Sequence, residues 1–389
     1  MSDHTPDRHW RTRLVHPAAK ASQDFRALVP AVHRGSTVLF DRVADARDDW
    51  RGDAYTYGLY GTPTVRELAL RIADLEGARS SFVVPGGQAA IALVYLAFCR
   101  AGDHALLPET AYGPNRELAD GLLGGLGIEV EPYDPLVGSG IAAHIRPNTR
   151  LIWCESPGTI TMEIQDVPAI VAAARAARVP VALDNTYAAG VLFDAFAHGV
   201  DVSMQALTKY VGGHSDLLLG TVSVGTADAE ERIGAVHRLL GMAVSPDDCS
   251  LALRGLETLA VRLDHLEAAT LEVARWLEAR PEIELVLHPA LPGCPGHQHW
   301  RRDFGGSASV FSVVFGPSWD TNRVSTFVES LRLFRLGFSW GGTHSLAMAY
   351  PPLRRRERSY GGRIVRLNVG LEATTDLIAD LAQALDRCG

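Results

Sequence analysis

Between residues 63 and 224 short apolar runs alternate with helix-period patterns, and this alternation restricts the chain to one broad architecture. The periodicity predicts helix 65–75, strand 80–84, helix 88–100, strand 104–107, helix 115–126 and strand 128–133. Strand 150–155, helix 167–177 and strands 179–184, 200–205 and 220–224 follow. Strands joined through helices pair in parallel, because the crossover returns the chain to the same end of the sheet. The fold class is therefore α/β, with a mostly parallel seven-stranded sheet covered by helices, and ligands belong beyond the carboxyl ends of its strands.

Residues 1–60 lack this order and read as an N-terminal arm. Residues 61–250 form the large domain. A long amphipathic stretch, 247–279, leads into strands 283–288 and 309–315, helix 321–331, strand 363–369 and helix 375–387, so 251–389 reads as a smaller C-terminal α+β domain.

Several functional classes are excluded by composition. The longest apolar run, 89–99, falls short of the roughly 20 residues a membrane span needs, so no membrane role is expected. A net charge of −8 without a broad basic face does not suit nucleic acid, and Arg354, Arg355, Arg356 and Arg358 read as a solvated loop. No apolar segment follows the basic N-terminus, which predicts a cytoplasmic address. Five scattered cysteines form neither a disulfide framework nor a zinc site, and Cys294, His297 and His299 fit no standard metal spacing. No metal is expected.

Of 37 basic residues only Lys20 and Lys209 are lysines. In a chain that uses arginine for surface charge, Lys209, followed by Val211, Gly212 and Gly213, is placed for chemistry, since an amine can lose a proton and attack a carbonyl while guanidinium cannot. Asp184 ends the apolar strand 179–184, and Lys209 follows strand 200–205, so both point to the same edge of a parallel sheet. The plainer alternative for Asp184 is a turn cap, and for Lys209 a solvated surface residue. An amine and a carboxylate in one cleft meet the main needs of pyridoxal 5′-phosphate: a group to condense with its aldehyde and an acid to keep its ring nitrogen protonated. Pro85-Gly86-Gly87-Gln88, between a strand and a helix, suits a phosphate at a helix N-terminus, although such turns are also common connectors. Tyr112 can stack on a planar ring or pack as an ordinary loop aromatic. Arg366, sharing a strand face with Asn368, can meet a substrate carboxylate or an internal acid.

Together these segments resemble the transsulfuration enzymes, which use pyridoxal phosphate in the fold shared with aspartate aminotransferase. The resemblance runs through Tyr55-Thr56-Tyr57-Gly58 with Gly61-Thr62, Asp184 to Gly190, Gln205 to Asp216, Arg254-Gly255-Leu256, His288 to Gly293, Ser339 to Gly342 and Arg366 to Glu372. It implies a homotetramer of paired dimers with Lys209 holding the cofactor, Asp184 on the ring nitrogen and Tyr112 stacked on the ring. Gly87, Gln88, Thr208 and Thr186 are then cofactor-binding, Tyr57 reaches the neighbouring subunit's phosphate or substrate, and Ser339 with Arg366 binds the substrate carboxylate. Lys209, Tyr112 and Tyr57 are the implied catalytic residues.

Trp340, beside Ser339, resembles the β-lyase form of this loop. The implied reaction is β-elimination at the carbon–sulfur bond of an amino-acid thioether such as cystathionine, a step of methionine biosynthesis. Cysteine or its S-conjugates are further substrates. The alternatives are γ-elimination or γ-replacement on the same scaffold, or a low-activity regulatory protein. Two departures stand out: Leu59 replaces the arginine that usually follows the Tyr-Gly pair and reaches the phosphate across the dimer, and Ala206 stands where many members have serine. Weaker cofactor retention is expected unless Arg51 or Tyr60 compensates.

Overall fold

The computed structural model describes residues 8–16, 28–46, 54–353 and 360–388. Lys20, Arg51 and the arginine cluster 354–358 lie outside the described residues. The helices are α1 Trp10–Val15, α2 Pro63–Glu76, α3 Gly87–Phe98, α4 Gly113–Leu118, α5 Val167–Ala176, α6 Ala227–Leu239, α7 Pro246–Glu257, α8 Leu259–Glu278, α9 His297–Asp303, α10 Thr321–Ser330 and α11 Thr374–Cys388. The strands are β1 Ser80–Val84, β2 His104–Pro108, β3 Glu129–Tyr133, β4 Thr149–Glu155, β5 Val181–Asp184, β6 Val202–Gln205, β7 Gly220–Val224, β8 Ile283–Leu287, β9 Val310–Phe315, β10 Arg335–Leu336, β11 Leu346–Ala349 and β12 Ile364–Asn368.

The first sheet has seven strands in the order β1-β7-β6-β5-β4-β2-β3. Every neighbouring pair is parallel except those made by β7, which runs antiparallel to both β1 and β6. The physical reason is the connection. Residues 206–219 contain no helix to carry the chain back across the sheet, so β7 returns directly beside β6. That direct return leaves the turn bearing Lys209 at the carboxyl end of β6, where the parallel strands also end. Central strands of a sheet covered on both faces need no polar alternation, and β4 accordingly buries Leu151, Ile152, Trp153 and Cys154 in succession.

Local signals set the flanking helices. At α2, the Thr62 hydroxyl accepts from the Val65 N–H, Pro63 occupies the first turn and Gly77 closes the helix in the left-handed region. Two expectations change in detail. The helix predicted over 115–126 is α only to Leu118 and continues as a π-helical segment, Ala119–Leu123; glycines at 121, 124 and 125 weaken the regular ladder there. The amphipathic stretch 247–279 is two helices broken at Thr258, which ends α7 and starts α8.

The second sheet, β10-β11-β12-β9-β8, is antiparallel except for the short β10–β11 pair, and Arg366 lies on its central strand β12. One apolar cluster, including Leu68, Leu207, Tyr210, Leu263, Val310 and Ile364, joins the two sheets. This shared core fixes β12 against the Lys209 turn. Among the described residues no helix is long and apolar enough to cross a membrane.

Candidate active site

A cavity of about 380 Å³ opens at the carboxyl ends of β1, β4, β5 and β6, lined by Gly86, Gly87, Gln88, Tyr112, Glu155, Asp184, Thr186, Thr208, Lys209 and Trp340, among others. The volume is within the range of small-ligand pockets. The sequence-predicted residues Lys209, Asp184, Tyr112, Gly87, Gln88, Thr208, Thr186 and Trp340 therefore converge on one space.

The Lys209 turn is held by backbone bonds from Lys209 N–H to Ala206 O at 3.1 Å and from Gly213 N–H to Lys209 O at 2.7 Å. Its Nζ donates to Ser339 Oγ at 2.9 Å and lies 4.5 Å from the centre of the Trp340 ring. Burial, reinforced by the Arg366 charge and opposed by Asp184, lowers the amine from 10.5 to about 8. A lowered pKa leaves more free amine at neutral pH, and this yields a prediction. The rate at which the unloaded protein condenses with pyridoxal phosphate should rise with pH and level off above about 8 instead of climbing toward 10.5, as followed by stopped-flow absorbance.

Asp184 Oδ1 accepts from the Thr186 N–H at 3.0 Å. Burial raises its carboxyl above the ordinary range, while Thr186 and the more distant Lys209 pull it back. No cation lies within ion-pair distance of it among the described residues. A buried acid without a paired cation is costly, and a protonated ring nitrogen supplies the missing charge. The Thr186 hydroxyl, in turn, accepts from the Ala206 N–H at 2.9 Å, tying the Asp184 turn to the Lys209 turn.

At the opposite wall, Gly86 caps α3 without any side-chain bond to the first-turn N–H groups, which remain available to an anion. A Cβ on Gly87 would lie 2.8 Å from the Ala206 Cβ, so a side chain there would close this cradle. Gln88 Nε2 donates to Pro114 O at 2.9 Å, leaving its backbone N–H for the cradle. Thr208 Oγ1 shares bonds with Leu219 O and N, both at 3.2 Å.

Arg366 is 5% exposed, with bonds from Nη1 to Thr159 O at 3.2 Å and from Nη2 to Phe338 O at 3.3 Å. Its guanidinium lies 4.9 Å from the centre of the Trp340 ring, so that ring adjoins both cations. No acid pairs with it among the described residues, which removes the internal ion pair as the reason for its burial. Tyr57 is placed differently: it is 49% exposed, precedes the turn Gly58–Tyr60 and lies outside the cavity walls of this chain.

Cys294, His297 and His299 have separate partners, Met162 O, Pro289 O and Asp166. The carboxylates of Glu129 and Glu131 near His104 are both bonded by Arg146. One acid of the cavity lining, Glu155, was not singled out from the sequence. Glu155 ends β4 as Asp184 ends β5, and the two are register partners. An acid closing an apolar strand was the available signal.

Residues 11–386 match the model of the Cys/Met metabolism PLP-dependent enzymes. The chain belongs to this family. Cystathionine beta-lyase MetC of Escherichia coli K12 is 40% identical over 387 residues, 96% of this chain and 98% of the relative. An L-alanine/L-glutamate racemase of Wolbachia pipientis wMel is 34% identical, with 95% of both chains covered. Among solved structures, metB from Corynebacterium glutamicum superposes with a TM-score of 0.91 at 28% identity, covering 99% of both chains.

The cofactor of this Cys/Met metabolism enzyme is therefore pyridoxal phosphate, and the fold is that of the aspartate aminotransferase class. The cavity suits it: a lowered amine, a buried acid without a paired cation and an uncapped helix start complement an aldehyde, a protonated ring nitrogen and a phosphate.

Proposed function

We propose that this protein is a cystathionine β-lyase, cleaving L-cystathionine with water to L-homocysteine, pyruvate and ammonia, and also acting on cysteine or its S-conjugates. The observation that carries the reading is the contact of the Lys209 amine with Ser339 and Trp340, with Arg366 against the same ring. This contact supports a proton acceptor beside a group suited to an amino-acid carboxylate. Likeness to the E. coli lyase favours β-cleavage.

When bound, pyridoxal phosphate withdraws electrons from the substrate's α carbon. In this reading Lys209 first anchors the cofactor and then, freed by the incoming amino group, takes the α proton at Nζ. Asp184 keeps the ring-nitrogen proton in place. Arg366 and Ser339 hold the carboxylate, and Tyr112 covers the ring. The leaving thiolate takes a proton from Lys209 Nζ or from the Tyr112 hydroxyl, which burial, chiefly, and the Asp184 charge keep protonated. Backbone N–H groups of Gly87 and Gln88 and the Thr208 hydroxyl hold the phosphate, with Thr186 bracing the Asp184 turn.

The same reading makes the protein a cytoplasmic homotetramer in which Tyr57 enters the neighbouring subunit's site and takes part in its chemistry. Five unpaired cysteines agree with a reducing compartment. Leu218 at the cavity wall is 70% exposed and Phe338 71%, apolar surface that a second subunit would cover.

Cofactor-loaded protein incubated with L-cystathionine should release pyruvate and homocysteine. Release of 2-oxobutyrate instead indicates γ-cleavage, and negligible turnover across thioether amino acids returns the regulatory reading. Racemisation is a second reading, favoured by the likeness to the Wolbachia enzyme. It predicts D-alanine from L-alanine, with the α proton removed and returned and no carbon–sulfur bond broken.

Leu59 bears on retention. Introducing Leu59→Arg should lower the cofactor dissociation constant by about tenfold or more, since a charge-assisted bond contributes about 1.5–3 kcal/mol. Equilibrium dialysis measures this, and an unchanged constant would show that residue 59 does not reach the phosphate.

A further inference from the structure

Two loops carry residues given separate tasks above, and one buried carboxylate lies between them. Residues 109–112 leave β2 and bring Tyr112 to the cavity. Residues 156–159 leave β4 and bring the Thr159 carbonyl to Arg366 Nη1. Glu155, 5% exposed, accepts from the Tyr112 N–H through Oε2 at 2.8 Å. A further bond, Thr159 N–H to Thr110 O at 3.1 Å, laces the loops together. Their approach is close: a Cβ on Gly158 would lie 2.6 Å from the Thr110 Cβ. The Glu155 backbone is itself fixed, its N–H donating to Gln165 Oε1 at 2.8 Å.

We propose that Glu155 is a positioning residue that registers Tyr112 with Arg366, and that it acts as a hydrogen-bond acceptor without needing a negative charge. The inference rests on the roles proposed above for those two residues. No cation pairs with Glu155 among the described residues, and its strand partner is the acid Asp184. A second anion there would be buried, unpaired and repelled by the first. Burial and the neighbouring Asp184 accordingly hold the Glu155 carboxyl well above the ordinary range. A neutral acid still offers the Tyr112 amide an acceptor, and an amide of the same shape offers one too.

The test compares Glu155→Ala with Glu155→Gln in full-length protein loaded with pyridoxal phosphate. Three readouts serve: visible circular dichroism of the bound cofactor, the cofactor dissociation constant and KM for L-cystathionine. The alanine variant is expected to lose most of the dichroic band and to raise KM on the order of tenfold or more, because small misplacements of binding groups have large kinetic effects. Glutamine is expected to restore both. If the glutamine variant is as impaired as alanine, the charge is required and the acceptor role is overturned. If the alanine variant keeps the band and KM, the positioning role is overturned. Should the alanine variant fail to fold, Gly158→Ala perturbs the same loop junction without altering the carboxylate. Loss of the band with a raised KM supports the proposal, and an unchanged band and KM overturn it. The dichroic band and dissociation constant do not depend on which amino acid is cleaved, so a wild type that yields no pyruvate from cystathionine refutes the lyase reading while these two readouts still decide the part played by Glu155.

Discussion

Lys209→Ala protein is expected to lose turnover by roughly 10³-fold or more, together with the visible absorption band of the condensed cofactor. The expectation follows from two tasks assigned to one atom. Among the described residues Nζ is the sole lysine amine lining the cavity, so in the proposed reaction none of them can replace it as the covalent anchor. In the proposed reaction it is also the base, an amine lowered to about 8 and in contact with Ser339 and Trp340. Arginine at 366 cannot substitute as a base, because guanidinium does not give up a proton under these conditions. An alanine variant that retains both the band and turnover would refute the placement of the chemistry at this residue. Partial rescue by added small primary amines is expected if the cavity remains intact, and circular dichroism in the far ultraviolet checks that it does.

Asp184→Asn is expected to lower kcat by about 10²–10³-fold while leaving Lys209 able to condense with the cofactor. Asparagine preserves the shape of the side chain and its acceptor toward Thr186 but removes the negative charge that makes a protonated ring nitrogen favourable. With that nitrogen unprotonated, charge developing at the α carbon is stabilised less, and the loss should appear in kcat more than in KM. The measurement is steady-state kinetics alongside a pH titration of the bound cofactor's absorption. Wild-type turnover in the asparagine variant would remove Asp184 from the mechanism. Loss of condensation would instead point to a structural part for this acid in the Lys209 turn, to which it is linked through Thr186 and Ala206.

Legibility in the sequence followed the strength of local signals. Strands 80–84 and 220–224 have the same limits in the structure as in the periodicity, since each is a short run of strand-forming residues bounded by turn residues or glycine. Helix α6 escaped detection, although Thr226 caps it and Asp228 and Glu230 occupy its first turn, because only Ala229, Ile233 and Gly234 of its residues are buried. So thin a stripe gives little periodicity. The break at Thr258 was equally hidden, for the apolar spacing carries through from α7 into α8 and the interruption is set by packing. Antiparallel β7 could have been inferred from the missing crossover in 206–219, a signal present but not used. At the site, composition singled out Lys209, and strand-end position singled out Asp184. Glu155 carried the same strand-end signature, yet the Ser-Pro that follows it reads as an ordinary turn.

The absent crossover between β6 and β7 has a mechanical consequence. Because these two strands are hydrogen-bonded to each other up to Gln205 and Thr221, and Thr208 N–H reaches Leu219 O at 3.2 Å, the backbone beneath Lys209 is a fixed pivot. Any shuttling of a proton is then confined to the arc swept by four methylenes, like the travel of a pen on a plotter arm. The opposing segment, which carries Phe338, Ser339 and Trp340 between β10 and β11, meets that arc from the second sheet and is itself tied to that sheet by the bond from Gly341 N–H to Asn368 Oδ1 at 3.0 Å.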